Sequence, residues 1–216
     1  MSCPGLSSRF VLLVLLGFAL AGCARKPVPF EMPEKAELAV SPFTQPDQRH
    51  EMLSGYVQET QHRADPKVLQ ALDRILRQEL ASRKDQAYRS GAQVEQCREI
   101  VLYENEPAEL DGLTYWSLVG RCLPTEYLLV PQLISWRARQ GGKWGADVAA
   151  RVEFYLFLLN VQKERVASVF HFNQEQAALS ENVFTFPRFV ERGGQWITAE
   201  QLAREGIIQG LEELGL

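Results

Sequence analysis

The chain has 216 residues, 46% of them apolar and 23% charged, with a formal net charge of −4. That size and composition suit one globular domain with a single core. No block of Lys and Arg is present to follow a phosphate backbone, which argues against nucleic-acid binding.

Residues 1–22 read as a secretory signal. Arg9 is the positive n-region and Phe10 to Leu20 is an apolar h-region. The apolar run is about thirteen residues, short of the roughly twenty a bilayer span requires. Leu20-Ala21-Gly22-Cys23 closes it as a lipobox, the cleavage and lipidation signal of a bacterial lipoprotein. The mature chain is then expected to start at a lipidated Cys23, anchored through its diacylglyceryl group. Arg9 is the one charge lost with the signal, so 22 basic residues face 27 acidic ones and the mature net charge is −5.

Residues 23–36 form a tether. Pro27, Pro29 and Pro33 interrupt it, and its apolar residues show no period. Thirteen extended residues reach roughly 40 Å, enough to lift a domain clear of the head groups. Ala24 follows the lipidated cysteine where Asp would signal retention at the inner membrane. The expected location is therefore the outer membrane, facing the periplasm.

Residues 37–216 are expected to form one periplasmic domain. It opens on a short apolar strand, Leu38-Ala-Val-Ser-Pro-Phe43, followed from Thr44 to Ala64 by a polar loop, with a helical turn inside it as the alternative. Asp65-Pro66 starts a helix, with Asp as N-cap and Pro at the first helical position. Val68, Leu69, Leu72, Ile75, Leu76 and Leu80 lie along one helical face. A brief strand at Gln86 to Arg89 precedes a second helix from Gly91 to about Glu104, with Ser90 and Gln93 placed as a capping box. Leu110, Leu113, Trp116 and Val119 trace a third helix ending near Gly120.

Three strands follow. Tyr127 to Arg137 is dense in Leu, Val and Ile. Val148 to Val161 is apolar on both faces, the mark of a central strand. Arg165 to Phe172 places Val166, Phe170 and Phe172 on one face. Their short connections predict an antiparallel meander. An irregular segment rich in Phe and Trp runs to Trp196. Thr198 and Gln201 then form a capping box for a last helix, lined by Leu202, Ile207, Ile208, Leu211 and Leu214. The expected fold class is α/β (α+β): a mixed sheet containing a three-strand meander, packed by about four helices including a C-terminal one.

Cys97 and Cys122 remain after processing. In an oxidising compartment they can form a disulfide closing about 26 residues, or serve as two buried thiols. Spacing alone leaves both open.

Leu38 to Phe43, Tyr127-Leu-Leu-Val130 and the strand Val152 to Asn160 together resemble the compact α/β domain of the TolB N-terminal superfamily. Curli-secretion lipoproteins, exopolysaccharide-export lipoproteins and lipoproteins that activate penicillin-binding proteins share that core. The resemblance covers residues 37 to 175. Glu181 to Phe189 and Gly193 to Ala199 look like the tail of a lipoprotein family with the same core. Pro131 and the turn Gln162-Lys163-Glu164 depart from the superfamily, whose members often have Gly and Thr-Gly at those places. The resemblance implies assembly, export or regulation, without fixing which.

No catalytic constellation stands out. His50, His62 and His171 are isolated from other ligands, and a metal site needs three or four converging donors. No Gly-Xaa-Ser-Xaa-Gly elbow occurs, and Gly141-Gly142-Lys143 lacks the spacing of a phosphate-binding loop. No cofactor or metal is expected. The surface that stands out is the hairpin around Trp136 and Trp144, with Arg139, Lys143 and Arg151 clustered on an acidic protein. Arg and Trp are enriched at interface hot spots. The alternative is that the indoles pack on the domain's own core. The expected function is that of a non-enzymatic envelope protein acting through a protein partner or a second copy. An anchored hydrolase of peptidoglycan or glycans is the alternative, and a small-ligand carrier a third.

Overall fold

A computed structural model describes residues 30, 32–33, 36–55, 63–83, 88–89, 91–142, 145–175 and 197–216. Residues 1–22 (expected to be a signal), Cys23 and most of the expected tether lie outside the described residues, as do the aromatic segment 176–196, Ser90, and Lys143 and Trp144.

The fold is α+β. Strand β1 is Leu38–Val40, and helices α1 (Pro66–Arg83), α2 (Gly91–Glu104) and α3 (Gly112–Cys122) follow. Then come β2 (Tyr127–Arg137), the short β3 (Gln140–Gly142) and β4 (Gly145–Val148), β5 (Arg151–Asn160) and β6 (Arg165–Glu175). Helix α4 (Ala199–Glu213) closes the chain. The main sheet has the order β1-β2-β5-β6. β1 joins β2 in parallel, while β2, β5 and β6 form the antiparallel meander. β3 and β4 make a separate two-stranded hairpin beyond the end of β2 and β5.

Helices cover both faces of the sheet. On one, Leu72, Ile75, Leu76 and Leu80 of α1 and Leu202, Ile207 and Leu211 of α4 pack on Leu129, Leu133, Phe154, Leu156, Phe170 and Phe172. On the other, Val94, Cys97 and Val101 of α2 and Tyr115, Trp116 and Val119 of α3 pack on Leu128, Val130, Phe157 and Leu159. β5 alternates between the two cores, which is why its run from Phe154 to Leu159 is apolar throughout.

Local chemistry sets the helix ends. Asp65 Oδ1 accepts the Lys67 N–H at 2.8 Å, and its carbonyl accepts that of Val68 at 2.7 Å. Thr198 and Gln201 make the expected reciprocal capping box. The third predicted helix starts just beyond Leu110, the first residue of its predicted face. Pro107–Glu109 is a single 3₁₀ turn, and α3 starts only after Asp111, whose carboxylate caps the Thr114 N–H at 2.8 Å. The Asp111 carboxyl is held below the ordinary carboxylate value by that N–H.

Two strand details differ from the sequence pattern. β6 runs on to Glu175 and contains a bulge at Ala167, because Leu158 pairs with Ser168 but Leu159 pairs with Val166. One extra residue reverses the alternation. Val166 therefore leaves the face of Phe170 and Phe172 and stands half-exposed on the other side. Of the brief strand expected at Gln86 to Arg89, Gln86 and Ala87 lie outside the described residues, and Arg89 makes a parallel bridge with Ala39.

Candidate functional site

The hairpin residues separate into groups. Trp136 pairs in register with Val152 and packs, half-buried, against the α1–α4 core. Arg151 stands beside Glu153 (3.4 Å) and Glu175 (3.9 Å). Arg137 also meets Glu175 and donates from Nε to the Ala149 carbonyl at 3.0 Å. Two guanidinium groups and two carboxylates thus close the end of the sheet as a locally balanced cluster. Arg139 lies half-buried just past β2. Lys143 and Trp144 lie outside the described residues, while β3 and β4 pair antiparallel, with Gly142 opposite Gly145 and Gly141 at φ 114°. Only Gly takes that conformation readily.

The cysteines are brought together. Cys97 of α2 and Cys122 at the end of α3 are bonded, with Cα atoms 5.8 Å apart. The bridge ties the two helices of one face to each other.

The polar network beneath the loop after β1 was not legible as a unit. Arg98 lies across the Trp116 ring, 5.3 Å from its centre. Its nitrogens reach Glu51 (2.7 Å), Glu95 (2.8 Å) and the Tyr115 hydroxyl (3.0 Å). Burial opposes its charge, yet Tyr115 and Glu95 hold the guanidinium above its ordinary range. Burial pushes the Tyr115 hydroxyl up, against the pull of Arg98. The Glu51 carbonyl accepts both Trp116 Nε1 (2.9 Å) and Gln132 Nε2 (2.6 Å), and Gln132 Oε1 accepts the Leu53 N–H (3.2 Å). Gln132 is fully buried. A glutamine inside the apolar stretch Tyr127 to Ile134 was the one signal of this arrangement. Its amide substitutes for a strand partner and pins the loop.

Beside this network is a pocket of about 420 Å³ between α1, α2 and the end of β1. Val40, Pro42 and Leu76 form its apolar wall, and its polar groups are Ser41, Asp73, Arg77, Tyr88 and Glu95. Asp73 accepts the Phe43 N–H at 2.6 Å. Burial raises its carboxyl above the ordinary carboxylate value, and the Phe43 N–H and Arg77 oppose this. Asp73 escaped the sequence reading because an acid beside an apolar helical stripe looks like an ordinary boundary residue.

His50 is buried, its ring edge-on to Tyr115 at 5.1 Å. His171 stacks on Tyr155 at 4.1 Å and meets Glu153 at 3.1 Å. Among the described residues no three His, Cys, Asp or Glu side chains converge as a metal site.

The fold and these features define a disulfide-bonded α+β domain with helices on both sheet faces. No protein-family model matches the chain, and no curated protein matches it. Among solved structures it is similar to the PelC dodecamer from Paraburkholderia phytofirmans. A point variant of PelC gives a TM-score of 0.48 at 13% identity, covering 87% of this chain and 94% of that one. A second PelC crystal form gives 0.46 at 14% identity, covering 87% and 92%. The chain is also similar to the LpoB C-terminal domain from Salmonella enterica, with a TM-score of 0.35 at 14% identity over 65% and 83% of the two chains. At these values each is a structural likeness and nothing more.

Proposed function

We propose that the protein is a lipid-anchored component of the cell envelope, held at the outer membrane and facing the periplasm, where it acts by binding rather than by catalysis. The observation that carries this reading is Leu20-Ala21-Gly22-Cys23 at the end of a short apolar run, followed by a Pro-broken tether. The Cys97–Cys122 bridge supports it, since disulfides persist in oxidising compartments. In cells, the mature chain should begin at a Cys23 carrying acyl chains and fractionate with membranes. Cys23→Ser should accumulate as unprocessed, unlipidated precursor. Intact mass spectrometry showing that the variant is cleaved normally would remove the foundation of the proposal.

The hairpin is the surface proposed to meet a partner, through Arg139, Lys143 and Trp144. An exposed indole at a turn is costly unless something covers it. Trp144→Ala combined with Arg139→Ala should weaken crosslinking to the partner in intact cells and leave the thermal midpoint within a degree or so. Unfolding of that double variant would return both side chains to the core.

One observation favours the second reading, an anchored hydrolase: Asp73 and Glu95 share the pocket, and Asp73 is raised by burial. Against it, each has a structural occupation, Asp73 with the Phe43 N–H and Glu95 with Arg98. Turnover of peptidoglycan by the purified full-length protein, abolished by Glu95→Gln, would decide for the hydrolase.

A further inference from the structure

β6 is an edge strand of eleven residues. The opposite edge of the sheet, β1, is met by Arg89. Among the described residues nothing pairs with the outer edge of β6. Long bare edges recruit other strands, and proteins blunt them with charges, prolines or bulges. Here the bulge lies at Ala167 and the charges at Arg165 and Glu175. The middle, Ser168-Val-Phe-His-Phe172, carries no such device. One of its faces is covered, because Phe170 and Phe172 lie under α4. Among the described residues nothing covers the other: α2 and α3 sit over β1 and β2, leaving Val169 51% and Val166 37% exposed. Beside them the stacked rings of Tyr155 and His171 extend the patch onto β5.

The edge is also self-complementary. Antiparallel pairing of two β6 strands about a two-fold axis at Phe170 sets Val169 against His171 of the second copy, and places each Arg165 toward Glu175 of the other. Both relations occur twice, as an isologous interface requires. The bulge at Ala167 falls outside the five central pairs, and an arginine's reach spans the offset it introduces.

We propose that two copies of this chain join along their β6 edges in that register, giving an eight-stranded sheet with a continuous apolar strip formed by both Val169 side chains. This names one partner within the binding role proposed above; it rests on that reading but not on the lipid anchor. The test is made on the full-length chain in intact cells, with two differently tagged copies. Val169→Cys on one copy and His171→Cys on the other should crosslink through a disulfide. Val166→Cys with Val169→Cys, which are not opposed, should not. Val169→Lys should weaken self-association of the purified protein by at least about tenfold in sedimentation, since a charge would then sit in the middle of the edge. Its thermal midpoint should hold, because the side chain is exposed.

A full-length protein that sediments as a monomer at high micromolar concentration would overturn the proposal. So would an oligomer that Val169→Lys leaves intact, or equal crosslinking in both cysteine pairs. A failure of membrane anchoring would show separately, in fractionation, and would leave the crosslinking result readable.

Discussion

At the scale of single residues, Asp73 carries a pH dependence whose sign is opposite to the usual carboxylate. Burial raises its carboxyl above the ordinary 3.8, so the folded chain holds this proton more tightly than the unfolded one. Its contribution to stability is therefore greatest in acid. It falls as pH rises from about the unfolded value through the raised folded one, and the deficit persists at neutral pH. Asparagine keeps an oxygen to accept the Phe43 N–H and has no charge to desolvate. Asp73→Asn should stabilise the protein at neutral pH, by an amount that shrinks toward zero in acid. Urea midpoints compared at both pH values check this. Loss of stability at neutral pH would mean that the charge-assisted bond to Phe43 outweighs desolvation.

Between elements, α4 lies close upon β5 and β6. A methyl group on Gly206 would stand 2.6 Å from the Phe172 ring, and one on Gly210 2.5 Å from Phe170 and 2.6 Å from Leu156. The helix lies this low because both positions are glycine. In an open helix Gly→Ala would gain about 1 kcal/mol of propensity. Here overpacking against a ring fixed by its neighbours costs about 1–3 kcal/mol, so Gly206→Ala should be net destabilising by denaturant unfolding. The α2–α3 pair is joined differently. The Cys97–Cys122 bridge spans 25 residues of sequence. A loop of that length contributes about 3.5 kcal/mol in the chain-entropy model. Cys97→Ser with Cys122→Ser should lower stability by an amount of that order, and thiol labelling of the unfolded wild-type should find both cysteines blocked. An undiminished midpoint would show that packing alone holds the two helices.

For the whole molecule, the sequence by itself determined those features that local physics fixes. The apolar run ending at Cys23 depends on composition and length alone. Asp65-Pro66 and Thr198 with Gln201 declare helix starts through their own backbone bonds, and α1, α2 and α4 lie where the 3.6-residue period put them. The two-faced apolarity of β5 announced a central strand, because a strand buried on both sides has no polar face to alternate. Tertiary structure decided what depends on distant partners. The bulge at Ala167 turned Val166 outward, and no local pattern encodes a register shift that is set by β5. Whether Cys97 and Cys122 would bond rested on how α2 and α3 pack. Trp136 went to the core while Arg137 and Arg151 found Glu153 and Glu175, because sheet pairing brought together side chains from three strands. Gln132 and Arg98 became the centre of a buried network for the same reason: a polar group's role inside a protein is set by the donors and acceptors that the fold delivers to it, and those come from elsewhere in the chain.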